Sequence, residues 1–132
     1  MGNLIKVTPN LELSVVEWPE GANYKFLQQQ IGGQIEHVRP VRLYELLHER
    51  NLPDNYCMLV EEEGLLKDIP YNPFGSYLYK TDQHGSPIAG TVLIVQETYE
   101  DFAPIAEKDF AEILMLMNLV VNSLRGGNSN VK

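Results

Sequence analysis

The stretch that most constrains the fold is a helix, a glycine and a strand encoded in succession between Tyr24 and Val41. Apolar positions recur at helical spacing in its first half and predict a short amphipathic helix, whose inner face carries Phe26, Leu27, Gln30 and Ile31. Gly32 follows, where helices often end in left-handed backbone that glycine adopts without strain. The alternation over Gln34–Val38 predicts a strand. We expect Ile35 and Val38 to point inward and later strands to pair here, so that the chain is organised around this segment.

Composition restricts the class of protein. A chain of 132 residues, 44% hydrophobic and 21% charged, is typical of one soluble globular domain. The net charge of -8 disfavours nonspecific binding to nucleic acid or an anionic membrane. It fits either a solubilising surface or an acidic face that meets a basic partner. Neither a signal peptide nor a membrane-spanning run is expected. The single cysteine, Cys57, excludes an internal disulfide and a multi-cysteine metal site, and favours a reducing, cytoplasmic location.

The remaining elements are predicted from the same periodicities. The predicted strands are Leu11–Trp18, Tyr56–Glu62 and Ile88–Gln96, and the predicted helices are Arg42–Arg50 and Ile105–Arg125. The last of these strands is apolar and β-branched, so we expect it at the centre of the sheet. The apolar run of the middle strand favours burial on both of its faces. Aromatic and turn-forming residues mix between Pro70 and Gly85 and predict irregular structure or one helical turn.

Together these elements predict a single compact α+β domain. A mixed or antiparallel sheet is expected, with the long C-terminal helix packed on it and short helices between the strands. The predicted domain covers residues 11–125 and follows a loose N-terminal lead-in over residues 1–10. We expect Gly126 and Gly127 to end the last helix, which leaves residues 126–132 as a polar tail.

The last helix carries more apolar surface than one sheet face needs. Its main stripe comprises Phe110, Ile113, Leu114, Met117, Val120, Val121 and Leu124. Met115, Leu116 and Leu119 are predicted to lie off this stripe. Deep burial within one chain is one interpretation. A small domain has little material to cover a helix on all sides, however, so we expect these three residues to form a homodimer interface.

Patterns typical of catalysis or metal binding do not occur in the sequence. His37, His48 and His84 are scattered, and no nearby pair has metal-ligand spacing, so each is interpreted as a surface or polar-network histidine. Cys57 lies in an apolar strand, which favours a buried and inert thiol.

Two further patterns have ordinary structural interpretations. Gly32–Gly33 is better explained as a helix stop than as a phosphate-binding loop. The carboxylates of Glu61–Glu63 are interpreted as a solvated strand end and turn. We therefore predict that the protein is not an enzyme and holds no metal or cofactor.

A concentration of aromatic and amide side chains instead favours ligand binding. The candidate ligand-binding residues are Tyr71, Asn72, Tyr77, Tyr79, Arg39, Arg42 and Lys80. The tyrosines are suited to stack a base or ribose, and the amide to read its polar edge. The basic residues are the nearest candidates for a phosphate. The alternative is that the tyrosines cap the core with their hydroxyls in water.

Three short motifs carry a resemblance to a known family. They are FLQ with IGGQIE over residues 26–36, VEEEGL with PYN over residues 60–72, and GTVLIV over residues 90–95. Their order and spacing, within Leu11 to Phe110, resemble the DUF3846 family of small bacterial, phage and mobile-element proteins of unknown function. The resemblance implies a compact α+β fold and a phage or mobile-element setting, and it brings no catalytic residue.

In that setting the expected function is capture of a small nucleotide immune signal in the host cytoplasm, an anti-defence sponge with a pocket at a dimer interface. Two other classes remain open. The net charge of -8 favours an acidic inhibitor that docks on a host defence protein or mimics nucleic acid, although the acids are spread along the chain. The other class is an oligomeric structural or adaptor protein without a ligand.

Overall fold

The structure is a computed structural model, and it describes residues 2–22, 24–99 and 101–130. The described residues form strands and helices that alternate along the chain. The strands are β1 (Gly2–Val7), β2 (Leu13–Trp18), β3 (Ile35–Val38), β4 (Tyr56–Glu61), β5 (Val92–Glu97) and β6 (Phe102–Ala103). The helices are α1 (Tyr24–Ile31), α2 (Val41–Glu49), α3 (Pro73–Tyr79), α4 (Thr81–His84) and α5 (Glu107–Asn130).

All strands belong to one antiparallel sheet. Its order is β2-β1-β5-β4-β3, and the short β6 also pairs with β5. The α+β fold with a long C-terminal helix is therefore confirmed, and so is the central position expected for the apolar strand at Val92–Glu97. Ile94 of β5 lies opposite Ile5 of β1 on one side and Met58 of β4 on the other.

Helices cover both faces of the sheet, which explains why the central strands are apolar without alternation. On one face Ile5, Met58 and Ile94 share a core with residues of α2, α3 and α5. On the other face, Leu27 and Ile31 of α1 pack in a second, smaller cluster against sheet residues that include Leu59 and Leu93. Every residue of β4 is buried, so the predicted burial of that strand on both faces is confirmed.

The predicted N-terminal lead-in is wrong, because residues 2–7 form strand β1 inside the sheet. Leu4, Ile5 and Val7 are fully buried between β2 and β5. The structured domain therefore begins at Gly2 and not at Leu11. The segment is short and lacks a clean period of two, since Leu4 and Ile5 are adjacent and serve opposite faces of the sheet.

The segment after α1 does not organise the sheet as expected. β3 lies at the edge, where among the described residues it pairs with β4 alone. The local predictions do hold, because α1 ends at Ile31 and Gly32 has a φ of +91°. Ile35 and Val38 both pack inward, but on opposite faces of the sheet. Because Ile35 and Val38 face opposite sides of the sheet, both pack inward even though β3 is an edge strand.

The aromatic segment, expected to be irregular or to form one helical turn, contains two helices, α3 and α4. Asn72 begins α3 as its N-cap and Pro73 occupies the first turn, a combination that favours helix initiation. Lys80 adopts left-handed backbone, with a φ of 61°, and separates the two helices. β5 starts at Val92 because Gly90, with a φ of +87°, turns the chain just before it.

Helix α5 differs from its prediction in two respects. It continues to Asn130, past the Gly126–Gly127 pair expected to end it, and residues 131 and 132 of the predicted tail lie outside the described chain. Leu116 is only 4% exposed and belongs to the core, because it lies three and four residues from Ile113 and Val120 on the same helix face. Met115 and Leu119 are exposed, as predicted.

None of the helices in the described parts of the chain combines the length and apolarity needed to cross a bilayer.

Candidate functional site

The predicted ligand-binding residues do not form one site. Asn72 is fully buried, and its amide donates to the carbonyl oxygens of Val7 and Gly90 at 3.0 and 2.8 Å. Its own oxygen accepts from the N–H of Gly75 at 3.0 Å. Asn72 thus links α3 to the sheet through hydrogen bonds, and its side chain is inaccessible to a ligand. Tyr79 also packs against the core, as the capping interpretation expected.

Two of the predicted residues do meet, on the outer surface of α2 and α3. The Arg42 guanidinium lies 4.3 Å from the centre of the Tyr77 ring and donates to the Tyr77 carbonyl oxygen at 2.7 Å. Lys80 pairs with Glu45 at 3.0 Å. These cations are therefore already partnered by the protein, and the ring face that a base would need is occupied by Arg42. Tyr71 is exposed and bridges Ala89 through its backbone.

Arg39 lies elsewhere, in an open cleft of about 570 Å³ at one end of the sheet. We call it the Arg39 cleft, and its lining comprises Arg39, Tyr44, Asp54, Asn55, Glu97, Thr98 and Tyr99. The antiparallel order explains the position. β3 and β5 end, and the antiparallel β4 begins, at the same end of the sheet. The residues next to these strand ends therefore lie close together there.

The centre of the cleft is the carboxylate of Glu97. Arg39 donates to both of its oxygens, through Nε to Oε1 at 3.2 Å and through Nη2 to Oε2. His37 Nε2 lies 3.4 Å from Oε2. The hydrogen bond from Arg39 holds the pKa of Glu97 below its ordinary value and outweighs the opposing effect of burial.

A backbone hydrogen bond joins two residues of the cleft lining, Asn55 and Glu97. The carbonyl oxygen of Asn55 accepts from the N–H of Glu97 at 2.7 Å. The side-chain oxygen Oδ1 of Asn55 is buried and has no hydrogen-bond partner in the described part of the chain. Tyr44 is partly buried, and this burial is the main cause that raises its pKa to about 12. By contrast, Tyr99 is 97% exposed.

Beneath the cleft, three potential metal ligands lie together on the α1 side of the sheet. One ligand atom each from His37, Cys57 and Glu97 lies within 4.8 Å of the others, and we call this group the His37–Cys57–Glu97 cluster. Cys57 is fully buried, as predicted, and burial raises the pKa of its thiol to about 12. The Phe102 ring contacts His37 edge-on, with the two ring centres 5.4 Å apart.

Sequence spacing did not reveal this cluster, because its members come from three strands and lie far apart along the chain. Only the pairing register of β3, β4 and β5 makes them neighbours. A signal was nevertheless present. His37 and Glu97 lie two residues beyond the inward positions Ile35 and Val95, and so share the face of Cys57.

The second glycine after α1 has a role beyond ending the helix. A Cβ atom at Gly33 would lie 2.6 Å from Glu61 Oε1, so only glycine leaves room for this carboxylate. Glu61 is buried, which corrects its interpretation as part of a solvated strand end. Lys67 Nζ lies 3.4 Å from its Oε2 atom, and the N–H of Glu63 donates to Oε1 at 3.3 Å. The pair closes the turn after β4.

Fold and cleft together define a small α+β protein with a polar cleft at one end of an antiparallel sheet. The chain belongs to a family described as a domain of unknown function (DUF3846), whose family model matches residues 2–118. The match confirms the resemblance carried by the three motifs, and it begins at β1 instead of Leu11. No curated protein and no solved structure matches the chain.

Proposed function

We propose that this chain is a non-enzymatic binding protein that captures a small nucleotide-type ligand in the Arg39 cleft. The observation that carries the proposal is the buried Asn55 Oδ1 atom, an acceptor with no partner in the described residues, on a side chain that lines the cleft. A buried acceptor left unpaired destabilises a protein by about 1–3 kcal/mol, so a ligand N–H that reaches it is favoured. The amino groups of nucleobases are donors of this kind.

The cleft also offers aromatic surface for stacking. Tyr99 is almost entirely exposed, and Tyr44, which also lines the cleft, is partly buried. Base–aromatic stacking is worth about 1–3 kcal/mol per base and tolerates any base. The aromatic, amide and arginine chemistry expected from the sequence is thus available, although Arg39 is the only predicted residue that contributes to it.

The charges of the cleft favour recognition of the base over the phosphate. Two carboxylates, Asp54 and Glu97, line it together with one guanidinium, and Arg39 is already paired with Glu97. The Arg39 side chain is nevertheless 62% exposed, so its outer edge can meet a phosphate directed toward solvent. A nucleoside should therefore bind almost as tightly as its mononucleotide.

Capture without catalysis fits the state of the nearby reactive groups. The Cys57 thiol has its pKa raised to about 12 and is buried, which disfavours a thiolate nucleophile at neutral pH. The Glu97 carboxylate is held by Arg39, so a role as general base would require breaking that pair. Sequestration of a nucleotide signal by a phage or mobile-element protein is the biological setting that we propose.

Calorimetry with a panel of nucleosides and nucleotides tests the proposal. Tyr99→Ala should weaken binding by about 5- to 150-fold, because it removes the stacking surface. Asn55→Ala should weaken it by about 2- to 10-fold through loss of the acceptor. Each variant should retain the wild-type circular dichroism spectrum.

Tyr71→Ala is the matched control for the ring, since Tyr71 is an exposed tyrosine outside the cleft. It should leave the affinity unchanged. The proposal is rejected if no member of the panel binds, or if Tyr71→Ala weakens binding while Tyr99→Ala does not.

We further propose that the protein self-associates as a dimer through the outer face of α5. Met115 and Leu119 lie one helical turn apart and are 43% and 52% exposed. Replacing both with lysine should give a folded monomer by light scattering at micromolar concentration, because burial of their apolar surface would be lost. Leu66→Lys, which changes an exposed leucine outside α5, is the control. A wild-type chain that is already monomeric under these conditions contradicts the proposal.

A further inference from the structure

We propose that the His37–Cys57–Glu97 cluster is a binding site for a divalent transition metal, specifically Zn²⁺. The site goes beyond nucleotide capture and requires no ligand in the Arg39 cleft. Its three side chains supply one imidazole nitrogen, one sulfur and one carboxylate oxygen. These are the donor types that zinc takes in proteins, and three protein ligands with one open position form a recurrent zinc arrangement.

The distances are compatible with coordination. The three ligand atoms lie within 4.8 Å of one another. Ligands at about 2.0–2.3 Å from a tetrahedral zinc ion lie about 3.3–3.8 Å apart, so side-chain rotations that move them by about 1 Å would close the site. The strands hold the backbone of all three residues by ladder pairing, with Glu97 opposite Phe102 of β6, and this limits the adjustment to the side chains.

The surroundings supply an entry path and a suitable charge. The His37 side chain is 33% exposed, whereas Cys57 lies fully buried behind it, so an ion would enter past the imidazole. Coordination by a thiolate and a carboxylate neutralises the charge of Zn²⁺ and removes the need to bury a net charge. When the metal–sulfur bond forms, the sulfur–hydrogen bond breaks and the proton passes to the buffer.

Arg39 is the natural competitor for this metal. Its Nη2 group donates to Glu97 Oε2, the oxygen that also lies 3.4 Å from His37 Nε2. A zinc ion between His37 and Glu97 would take over this contact, since two cations cannot both approach one carboxylate oxygen without repulsion. The geometry therefore makes Arg39 Nη2 and the metal alternative partners of Glu97 Oε2, and removing Arg39 should strengthen metal binding.

The test uses Zn²⁺ and Co²⁺ with the purified, metal-free chain. Zn²⁺ affinity is measured by competition with a chromophoric chelator, and Co²⁺ reports the donors through its absorption spectrum. We expect a sulfur-to-cobalt charge-transfer band that Cys57→Ala abolishes. Calorimetry in buffers of different ionisation enthalpy should show proton release that Cys57→Ala removes.

Cys57→Ala and His37→Ala should each weaken Zn²⁺ binding by more than about 100-fold, because even an outer-shell partner is typically worth about 10- to 100-fold. Arg39→Gln should tighten it by about 2- to 10-fold, since the competing ion pair is partly exposed. His48→Ala, which removes an exposed histidine of α2, is the control and should have no effect.

Several outcomes would overturn the site. Co²⁺ spectra without a thiolate band, or Zn²⁺ affinity that is unchanged in Cys57→Ala, would show that the cluster does not hold the metal. Weaker binding in Arg39→Gln would contradict the proposed competition. Nucleotide binding, whether present or not, has no bearing on these readouts, so the metal site and the proposed capture function fail independently.

Discussion

Replacing Leu116 with aspartate should unfold most of the protein, whereas the same replacement at Leu119 should leave it folded. Leu116 is 4% exposed and belongs to the core, whereas Leu119, three residues further along the helix, is 52% exposed to solvent. Truncating a buried leucine costs about 2–5 kcal/mol, and burying a carboxylate without a partner adds several more. Together these exceed or approach the typical stability of a domain, about 5–15 kcal/mol.

Circular dichroism and urea denaturation would measure this difference. The milder pair of alanine variants gives a quantitative version: Leu116→Ala should lower the free energy of unfolding by about 2–5 kcal/mol, and Leu119→Ala by no more than about 0.5 kcal/mol. Equal effects at the two positions would contradict the assignment of Leu116 to the core. The comparison also separates folding from self-association, because Leu119 belongs to the proposed interface and Leu116 does not.

Replacing Asn72 with alanine should lower the free energy of unfolding by about 3–5 kcal/mol. The side chain caps α3 through Gly75 and donates to carbonyl oxygens of Val7 and Gly90, so it joins three parts of the chain in a fully buried position. Loss of the helix cap costs about 0.5–2 kcal/mol, and each carbonyl left unpaired costs about 1–3 kcal/mol. These losses are not fully additive, since solvent can reach part of the cavity.

Urea denaturation of the wild-type and variant proteins would test this value. Asn118→Ala is the matched control, because Asn118 is an exposed asparagine within a helix and its replacement should change stability by no more than about 0.5 kcal/mol. Asn72→Asp should not rescue the variant, since it keeps the capping oxygen but presents a carboxylate to the Val7 and Gly90 carbonyls. If Asn72→Ala lowers the free energy of unfolding by less than about 1 kcal/mol, the hydrogen bonds of Asn72 contribute little to stability.

Local patterns predicted most of the regular structure. The spacing of apolar residues located α1, α2 and α5, and the β-branched run located β5 at the centre of the sheet. The glycine that ends α1 was also predicted, because its left-handed backbone is a local requirement. These features depend on neighbours within a few residues along the chain, which a single sequence displays directly.

The predictions failed where the decisive partners are distant. Residues 2–7 become a strand because β2 and β5 lie on both sides of them, and no local period records that. α3 forms in a segment rich in turn formers because Asn72 caps it. The Asn72 side chain in turn donates hydrogen bonds to Val7 of β1 and to Gly90, which precedes β5. Tertiary context overrides local propensity in both cases.

The residue types that line the Arg39 cleft were partly predictable, but their location was not. Composition and periodicity were sufficient to predict an acidic α+β domain with a central apolar strand, an amphipathic C-terminal helix, and surplus tyrosine, amide and arginine groups. By contrast, long-range packing places Asn72 in the core, where it hydrogen-bonds to β1, and brings Arg39 to Glu97 beside Asn55. Strand order and register bring together residues that lie far apart along the chain. Both depend on packing across the whole sheet, and local periodicity does not encode that packing.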